Sequence, residues 1–405
     1  MSHGLHFHGG GRKVSKKRVG IEVSLAVSEA VKLSNVDCIA AYPITPQTHI
    51  VEHLSELVAE GHVDAEFIPV ESEHSAMSVC MGTSAVGART FTSTSAQGLA
   101  LMNELLFIAS AMRLPIVMAI VNRAMSSPLS IWNDHSDIMS VRDAGWIQIF
   151  VDNGQQAFDQ TICAFRIGED RRVLLPVGIN LDGFSLSHVV ESLTFEDQET
   201  VNKFLPPYQP LYTIHPDKPL TMGAFGMPEI YAEAKKAQEV ATRDSKQVIQ
   251  EVWDEWGKLT GRSYQPIESY QMEGAEIAIL AAGAICEVAE EAVDEMRRQG
   301  KPVGLLRLRL WRPFPMEELK QAVAGMKSIL VIDRAISLGG PGGPVFSEIR
   351  SALYDTPKAP KVVGFIAGLG GRDVPPEQII EIVKMGTAKR AKKKTEDFYM
   401  IGIRE

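Results

Sequence analysis

The residues best suited to chemistry fall in four polar clusters, each placed directly after a short apolar run. The first is Tyr42-Pro43-Ile44-Thr45-Pro46. Two prolines fix φ and stiffen the segment, so Thr45 is presented on a rigid loop. Such a hydroxyl serves either a small-molecule site or the cap of the following helix. The second cluster is Glu71-Ser72-Glu73-His74. Glu73 reads either as a favourable charge at a helix N-terminus or as a functional acid held away from water. The third, Thr-Ser-Ala-Gln-Gly at 94–98, opens a helix. The fourth begins with Asn122-Arg123, where a guanidinium can grip a carboxylate through two parallel hydrogen bonds. The plainer reading of Arg123 is a surface salt bridge. Behind it, Trp132-Asn133-Asp134-His135-Ser136-Asp137 gathers polar groups around an aromatic. Asp134, His135 and Asp137 match no recognisable metal-ligand spacing, so a hydrogen-bonded loop is favoured over a metal site.

The apolar runs between these clusters must position them. Strands are expected at 37–42, 66–70, 89–93, 114–121, 147–151 and 173–180, with helices over 20–33, 49–59, 75–86 and from 97 to about 108. The run at 114–121 is apolar enough to be a central parallel strand. Strand, loop and helix in alternation predict a doubly wound α/β domain, whose ligands sit outside the carboxyl ends of the strands. The four polar clusters fall at four such ends. A second α/β pattern has strands at 276–281, 303–308, 328–333 and 361–366. Its glycine run at 339–343, Gly-Gly-Pro-Gly-Gly, lacks the following Gly-Lys-Ser/Thr of a phosphate loop and reads as a tight turn.

The expected organisation is an N-terminal arm at 1–18, a first domain at 19–205, and a proline-rich linker with a crossing helix at 206–270. A second domain at 271–390 and a tail at 391–405 complete it. With 45% hydrophobic residues and a net charge of −9, the chain suits a soluble cytoplasmic protein and argues against broad nucleic-acid binding. No apolar stretch is long enough for a membrane span. Cys38, Cys80, Cys163 and Cys286 are too scattered to hold an iron–sulfur cluster and read as buried thiols. His3, His6 and His8 sit in the arm, which reads as a flexible tail or a contact with a neighbour rather than a metal site.

Taken in order, Tyr42-Pro43-Ile44-Thr45-Pro46, Ser72-Glu73, Gln97-Gly98-Leu99, Asn122-Arg123-Ala124, the segment 130–137 and Leu181-Asp182-Gly183-Phe184 resemble the pyrimidine-binding domain of 2-oxoacid:ferredoxin oxidoreductases. The later half, with 339–343, resembles the transketolase C-terminal-type domain that follows it in the α subunit. The likeness covers about residues 19–385.

The resemblance implies a thiamine diphosphate shared between two chains. The Gly-Asp-Gly…Asn motif that holds Mg²⁺ and the diphosphate is not found here, so those groups are expected on a β subunit. Glu73 would pair with the aminopyrimidine nitrogen and favour the tautomer that activates the thiazolium carbon. Pro43 and Ile44 would line the cofactor. Arg123 would clamp the substrate carboxylate, and Thr45 would bond to that carboxylate or to the 2-oxo oxygen. The product would be an acyl-CoA and CO₂, with coenzyme A as co-substrate. Electrons would pass to [4Fe-4S] clusters on partner chains, γ and ferredoxin-like δ subunits, and then to ferredoxin or another acceptor. Thr45 favours a monocarboxylic 2-oxoacid, with pyruvate first. Asn133 and His135 depart from a loop that is often glycine-rich in pyruvate enzymes, which keeps phenylglyoxylate, indolepyruvate and 2-oxoisovalerate open. A non-catalytic assembly subunit is the remaining alternative. No nicotinamide fingerprint follows any strand, which argues against a dehydrogenase.

Overall fold

A computed structural model describes residues 17–388 and 398–404 of the 405. The arm with His3, His6 and His8 and most of the C-terminal tail lie outside the described residues. Strands β1 (Lys17–Glu22), β2 (Cys38–Ala41), β3 (Glu66–Pro69), β4 (Thr90–Thr94), β5 (Val117–Asn122), β6 (Ile147–Phe150), β7 (Val177–Asp182) and β8 (Val190–Phe195) come from the first half. The second half contributes β9 (Ile267–Tyr270), β10 (Ile277–Ala281), β11 (Val303–Leu308), β12 (Leu310–Arg312), β13 (Ser328–Asp333), β14 (Lys361–Ile366) and β15 (Phe398–Met400).

The first sheet has seven strands in the order β12-β6-β7-β5-β4-β2-β3, and all its pairings are parallel except β12 with β6. β5 is buried at every position, as its uniform Val-Met-Ala-Ile-Val composition requires of a strand covered on both faces. Helices cover the two faces: Thr48–Ala59 packs into one core through Ile50 and Leu54, and Glu73–Ala85 into the other through Ala76, Met77 and Cys80. The second sheet runs β15-β14-β13-β10-β11-β9, with only β9 antiparallel. The fold is therefore two doubly wound α/β layers, as the alternation of elements predicts. All four cysteines are buried free thiols. Among the described residues no helix is long and apolar enough to cross a membrane.

Several elements differ from the sequence reading. The expected helix over 20–33 begins only at Val23. Before it, β1 pairs with β8, which the sequence reading did not find, as a separate two-stranded ribbon. Within the stretch read as linker and crossing helix, Pro228–Thr260 is a 33-residue helix whose second half is core. Its Val248, Ile249, Val252, Trp253 and Trp256 join the first-domain cluster, and Trp253 Nε1 donates to Gln160 Oε1 at 2.7 Å. Ile267–Tyr270 is an edge strand of the second sheet, and so is Phe398–Met400 from the region read as tail. Short β12 crosses over to finish the first sheet. The glycine run at 339–343 is a turn shaped by Asp333. Both Asp333 carboxylate oxygens accept N–H groups, from Val345 and Phe346, at the start of helix Pro344–Leu353. A Cβ on Gly343 would fall 2.1 Å from Asp333 Cγ, so only glycine fits there.

The two layers are joined through Asp182, the last residue of β7. His135 Nε2 lies 2.7 Å from one carboxylate oxygen, while Ala284 N–H and Arg334 Nη1 donate to the other at 2.6 and 3.3 Å. Gly283, at φ +78°, makes room for it. Burial alone would raise the Asp182 carboxyl, but the Arg334 guanidinium, His135 and the Ala284 N–H hold it down to about 2. A carboxyl depressed from its ordinary value contributes stability above about pH 4 that disappears as pH falls toward 2, here roughly 2 kcal/mol. Arg334→Met is expected to destabilise the chain by about 3–5 kcal/mol at pH 7, because it strands a buried charge. In urea titrations the gap to the unsubstituted chain should narrow between pH 4 and pH 2. A gap that stays constant over that range would contradict this account.

Candidate active site

β2 and β4 are neighbours whose chain connections run to opposite faces of the sheet, which makes their carboxyl ends the switch point where a crevice opens. The loop after β2 carries the proline motif. Gln47, wholly buried, holds it: Nε2 donates to Ser93 O of β4 at 2.8 Å and to Tyr42 O at 3.3 Å, and Oε1 faces Ile44 N–H at 3.4 Å. The loop is thus tied across the switch point. Pro43 and Thr45 are exposed and Ile44 is half-buried. Helix Thr48–Ala59 has Gln47 at its N-cap position and no side-chain cap, so Thr45 does not cap it.

Glu73 is the first residue of helix Glu73–Ala85, two positions earlier than the predicted start. Ser72 takes the N-cap in extended conformation and its Oγ accepts the Ser75 N–H at 3.2 Å. The two readings of Glu73 prove compatible: it sits at a helix N-terminus and is only 6% exposed. Its carboxylate accepts no hydrogen bond from the described residues. It leans against the turn after β4, where a Cβ on Gly98 would fall 2.6 Å from Glu73 Oε1 and 2.4 Å from Thr94 Oγ1. Along this strand end, Thr92, Ser93, Thr94 and Ser95 hydroxyls and the Gln97 amide are buried without a hydrogen-bond partner. A native fold rarely leaves so many adjacent polar groups unsatisfied, and such a concentration can receive a polar ligand.

Arg123, just past the end of β5, is 7% exposed and forms no ion pair among the described residues, so the surface salt-bridge reading fails. Nε donates to Ser130 O and Nη1 to Thr45 O, both at 2.9 Å, which fixes the guanidinium plane and leaves Nη2 without a partner. Burial lowers its pKa, and the nearby Asp137 opposes that shift. A desolvated guanidinium with one free edge is built to take a carboxylate. The structure joins Arg123 to the Thr45 backbone directly. Glu73 is linked to this pair through the β4 turn.

The link is Asp137, a residue the sequence reading placed only in the polar loop. It is fully buried and accepts four hydrogen bonds: from Ala96 N–H at 3.2 Å, Arg123 N–H at 2.9 Å, Ile138 N–H at 2.7 Å and Asn122 Nδ2 at 3.0 Å. Burial pushes its pKa up to about 6, and the hydrogen bonds pull the other way. Ala96 holds φ +38°, a left-handed conformation costly for a residue with a side chain, and Asp137 pins it there. Asp134 bonds to Ser136 and to Gly370 N–H, while His135 serves Asp182. The segment 130–137 is thus a hydrogen-bonded loop, as favoured, and its three acidic and imidazole side chains point to separate partners. Gly183 closes the far side: a Cβ there would meet Asn122 O at 2.5 Å and Pro46 Cγ at 2.7 Å. Gln47 and Asp137 were missed as site residues. Their signal, a polar residue flanking an apolar strand end, is common in loops of every kind.

Gly98→Ala should cost about 1–3 kcal/mol through overpacking, more than offsetting the roughly 1 kcal/mol that alanine gains in helix propensity. The loss should shrink when Thr94 and Glu73 are also changed to alanine. Chemical denaturation of the single and triple variants checks this, and an undiminished loss would place the clash elsewhere.

Comparison with known proteins identifies the family. A family model described as "Pyruvate flavodoxin/ferredoxin oxidoreductase, thiamine diP-bdg" matches residues 29–254, and one described as "Pyruvate:ferredoxin oxidoreductase core domain II" matches 275–379. Pyruvate synthase subunit PorA of Methanothermobacter thermautotrophicus is 48% identical over 364 residues, covering 90% of this chain and 94% of that relative. Ketoisovalerate oxidoreductase subunit VorA of Pyrococcus horikoshii is 44% identical over 350 residues, covering 86% and 88%. Among solved structures, a 2-oxoglutarate:ferredoxin oxidoreductase from Magnetococcus marinus, with 2-oxoglutarate, coenzyme A and succinyl-CoA bound, matches with a TM-score of 0.69 at 21% identity. The match covers 91% of this chain, which spans 65% of the length of that one, and at this identity it speaks to the fold. The chain belongs to the α-subunit family of the 2-oxoacid:ferredoxin oxidoreductases.

Proposed function

We propose that this α subunit serves a pyruvate:ferredoxin oxidoreductase and holds the pyrimidine half of its thiamine diphosphate site. The supporting observation is Glu73, a buried carboxylate with no hydrogen-bond partner among the described residues, set beside a row of unsatisfied hydroxyls at the switch point. That donor set fits an aminopyrimidine, which needs one carboxyl at a ring nitrogen and small polar groups around it. When bound, thiamine diphosphate supplies the electron sink that lets a 2-oxoacid lose CO₂.

This chain's residues would act around that group. Glu73 holds a proton at the ring nitrogen. Pro43 and Ile44 flank the ring on a loop that Gln47 keeps rigid. Arg123 binds the substrate carboxylate through its free Nη2 edge, and the Thr45 hydroxyl bonds to the carboxylate or the 2-oxo oxygen. Preorganisation is the point of the arrangement: both the guanidinium and the loop are fixed before substrate arrives. Mg²⁺ and the diphosphate would sit on a β subunit, and [4Fe-4S] clusters on γ and δ partners. Pyruvate, coenzyme A and two oxidised ferredoxins would give acetyl-CoA, CO₂, two reduced ferredoxins and a proton, in the cytoplasm. The VorA relative supports a second reading, in which the same chemistry acts on 2-oxoisovalerate. A non-catalytic assembly role is disfavoured, since it gives no reason to keep Glu73 and Arg123 buried without ionic partners.

The test is the purified multi-subunit complex, assayed with a panel of 2-oxoacids for coenzyme A-dependent reduction of a viologen dye. Pyruvate should lead the panel, and 2-oxoisovalerate leading it would favour the second reading. Glu73→Gln should lower kcat by about 10²–10⁴ with assembly intact. Arg123→Lys should lower kcat/KM by roughly tenfold to a hundredfold, through loss of the fixed charged hydrogen bond. Normal turnover by an intact Glu73→Gln complex would sink the proposal.

A further inference from the structure

Three side chains from distant parts of the sequence converge. Glu22 ends β1, His49 lies in the first turn of helix Thr48–Ala59, and His188 lies in the turn between β7 and β8. One ligand atom from each falls within 4.8 Å of the other two. His49 Nδ1 is 2.7 Å from Glu22 Oε1, and the two imidazole rings lie 4.5 Å apart at a 36° tilt. The remaining polar partners organise the group further. Ser187 Oγ accepts the Phe184 N–H at 2.9 Å and lies 2.7 Å from His188 Nδ1. With its second lone pair Ser187 can accept the Nδ1–H, which leaves His188 Nε2 as the free donor nitrogen. The Phe184 ring sits 4.7 Å from the His188 ring, so the imidazole is braced between Phe184 and His49.

We infer that Glu22, His49 and His188 form a binding site for a zinc-type divalent transition-metal ion. Two imidazoles and one carboxylate are the borderline donor set such ions prefer, whereas Mg²⁺ and Ca²⁺ seek oxygen-rich shells. Three ligands at metal distances of about 2.0–2.2 Å leave a fourth position for water. The ligand atoms need only a small rotamer adjustment to close from their present spacing. Entry is open, because the side chains of His49 and Glu22 are 42% and 20% exposed. Among the described residues the only ion pair of Glu22 is with His49, and no lysine or arginine among them competes for the carboxylate.

The ion would tie the β1–β8 ribbon, already joined strand to strand next to Glu22 and His188, to the helix that carries His49. β1 belongs to the separate two-stranded ribbon, and among the described residues its only strand pairing is with β8. His49 follows Thr45 by four residues on the same loop-and-helix unit. Binding would therefore stiffen the turn that presents Thr45 and anchor the ribbon to it.

The test uses the full chain with His3, His6 and His8 changed to alanine, since the arm carries imidazoles of its own. Titration with Co²⁺ should give one equivalent bound per chain, with visible ligand-field absorption, and Zn²⁺ should displace it. His188→Gln and Glu22→Gln should abolish stoichiometric uptake, and Ser187→Ala should weaken it about tenfold or more. Metal-free circular dichroism establishes that each variant folds. X-ray absorption of the Zn²⁺-loaded chain, which needs no substitution among the ligands, should show two imidazoles and one carboxylate. Absence of uptake, uptake unchanged in folded His188→Gln, or a shell with fewer than two imidazoles would overturn the inference.

Discussion

The turns after β4 and β5 are referred to one carboxylate. Asp137 is sealed from water, and four N–H groups from three stretches of chain converge on its two oxygens. A buried carboxylate is tolerable only with such a shell, and the shell in turn has nowhere else to go. The ends of β4 and β5 are held in register by the same acceptor, and the strained Ala96 backbone is kept by it. The loop that carries Asp137 also carries His135, which reaches Asp182 and the second domain. One short helical turn, Ser136–Ser140, thus couples crevice geometry to domain docking.

The electrostatic character of the crevice follows. Arg123 and Glu73 are both withdrawn from water, and neither is neutralised by an ionic partner among the described residues. Stability alone would pair them with opposite charges or replace them with apolar groups. Under the proposed function both groups face the ligands, with the backbone oxygens of Thr45 and Ser130 orienting the guanidinium. The glycines at 98 and 183 add a steric constraint, since each leaves the space of one methyl group to its neighbours, Thr94 and Glu73 in one case and Asn122 and Pro46 in the other.

The layer architecture was legible because parallel core strands such as Val117–Asn122 are apolar up to a polar last residue. Thr45, Glu73 and Arg123 were legible as candidates because each follows such an end, and their shared identity came from the order of motifs rather than from any one of them. Gln47 and Asp137 were not legible, because their importance lies in hydrogen bonds across 46 and 41 residues of sequence. β1, β8, β9, β12 and β15 were missed for a related reason. Short edge strands of three to six residues have weak periodicity, and their partners rather than their composition define them. The second half of helix Pro228–Thr260 was recognised as helix but not as core, since the proline-rich approach disguised where its Trp253 and Trp256 would pack.

β12 carries a consequence for synthesis of the chain. The first sheet is capped at the β6 edge by Leu310–Arg312, residues that follow β10 and β11 of the other sheet in sequence. As the nascent chain emerges, β6 stays an open strand edge until residues 310–312 have left the ribosome. The two layers cannot mature one after the other. An exposed sheet edge awaiting a distant partner is where non-local pairing is slow and association with other chains competes. The order of the genetic message, read from its start, therefore ties completion of the crevice-bearing layer to partial folding of its neighbour.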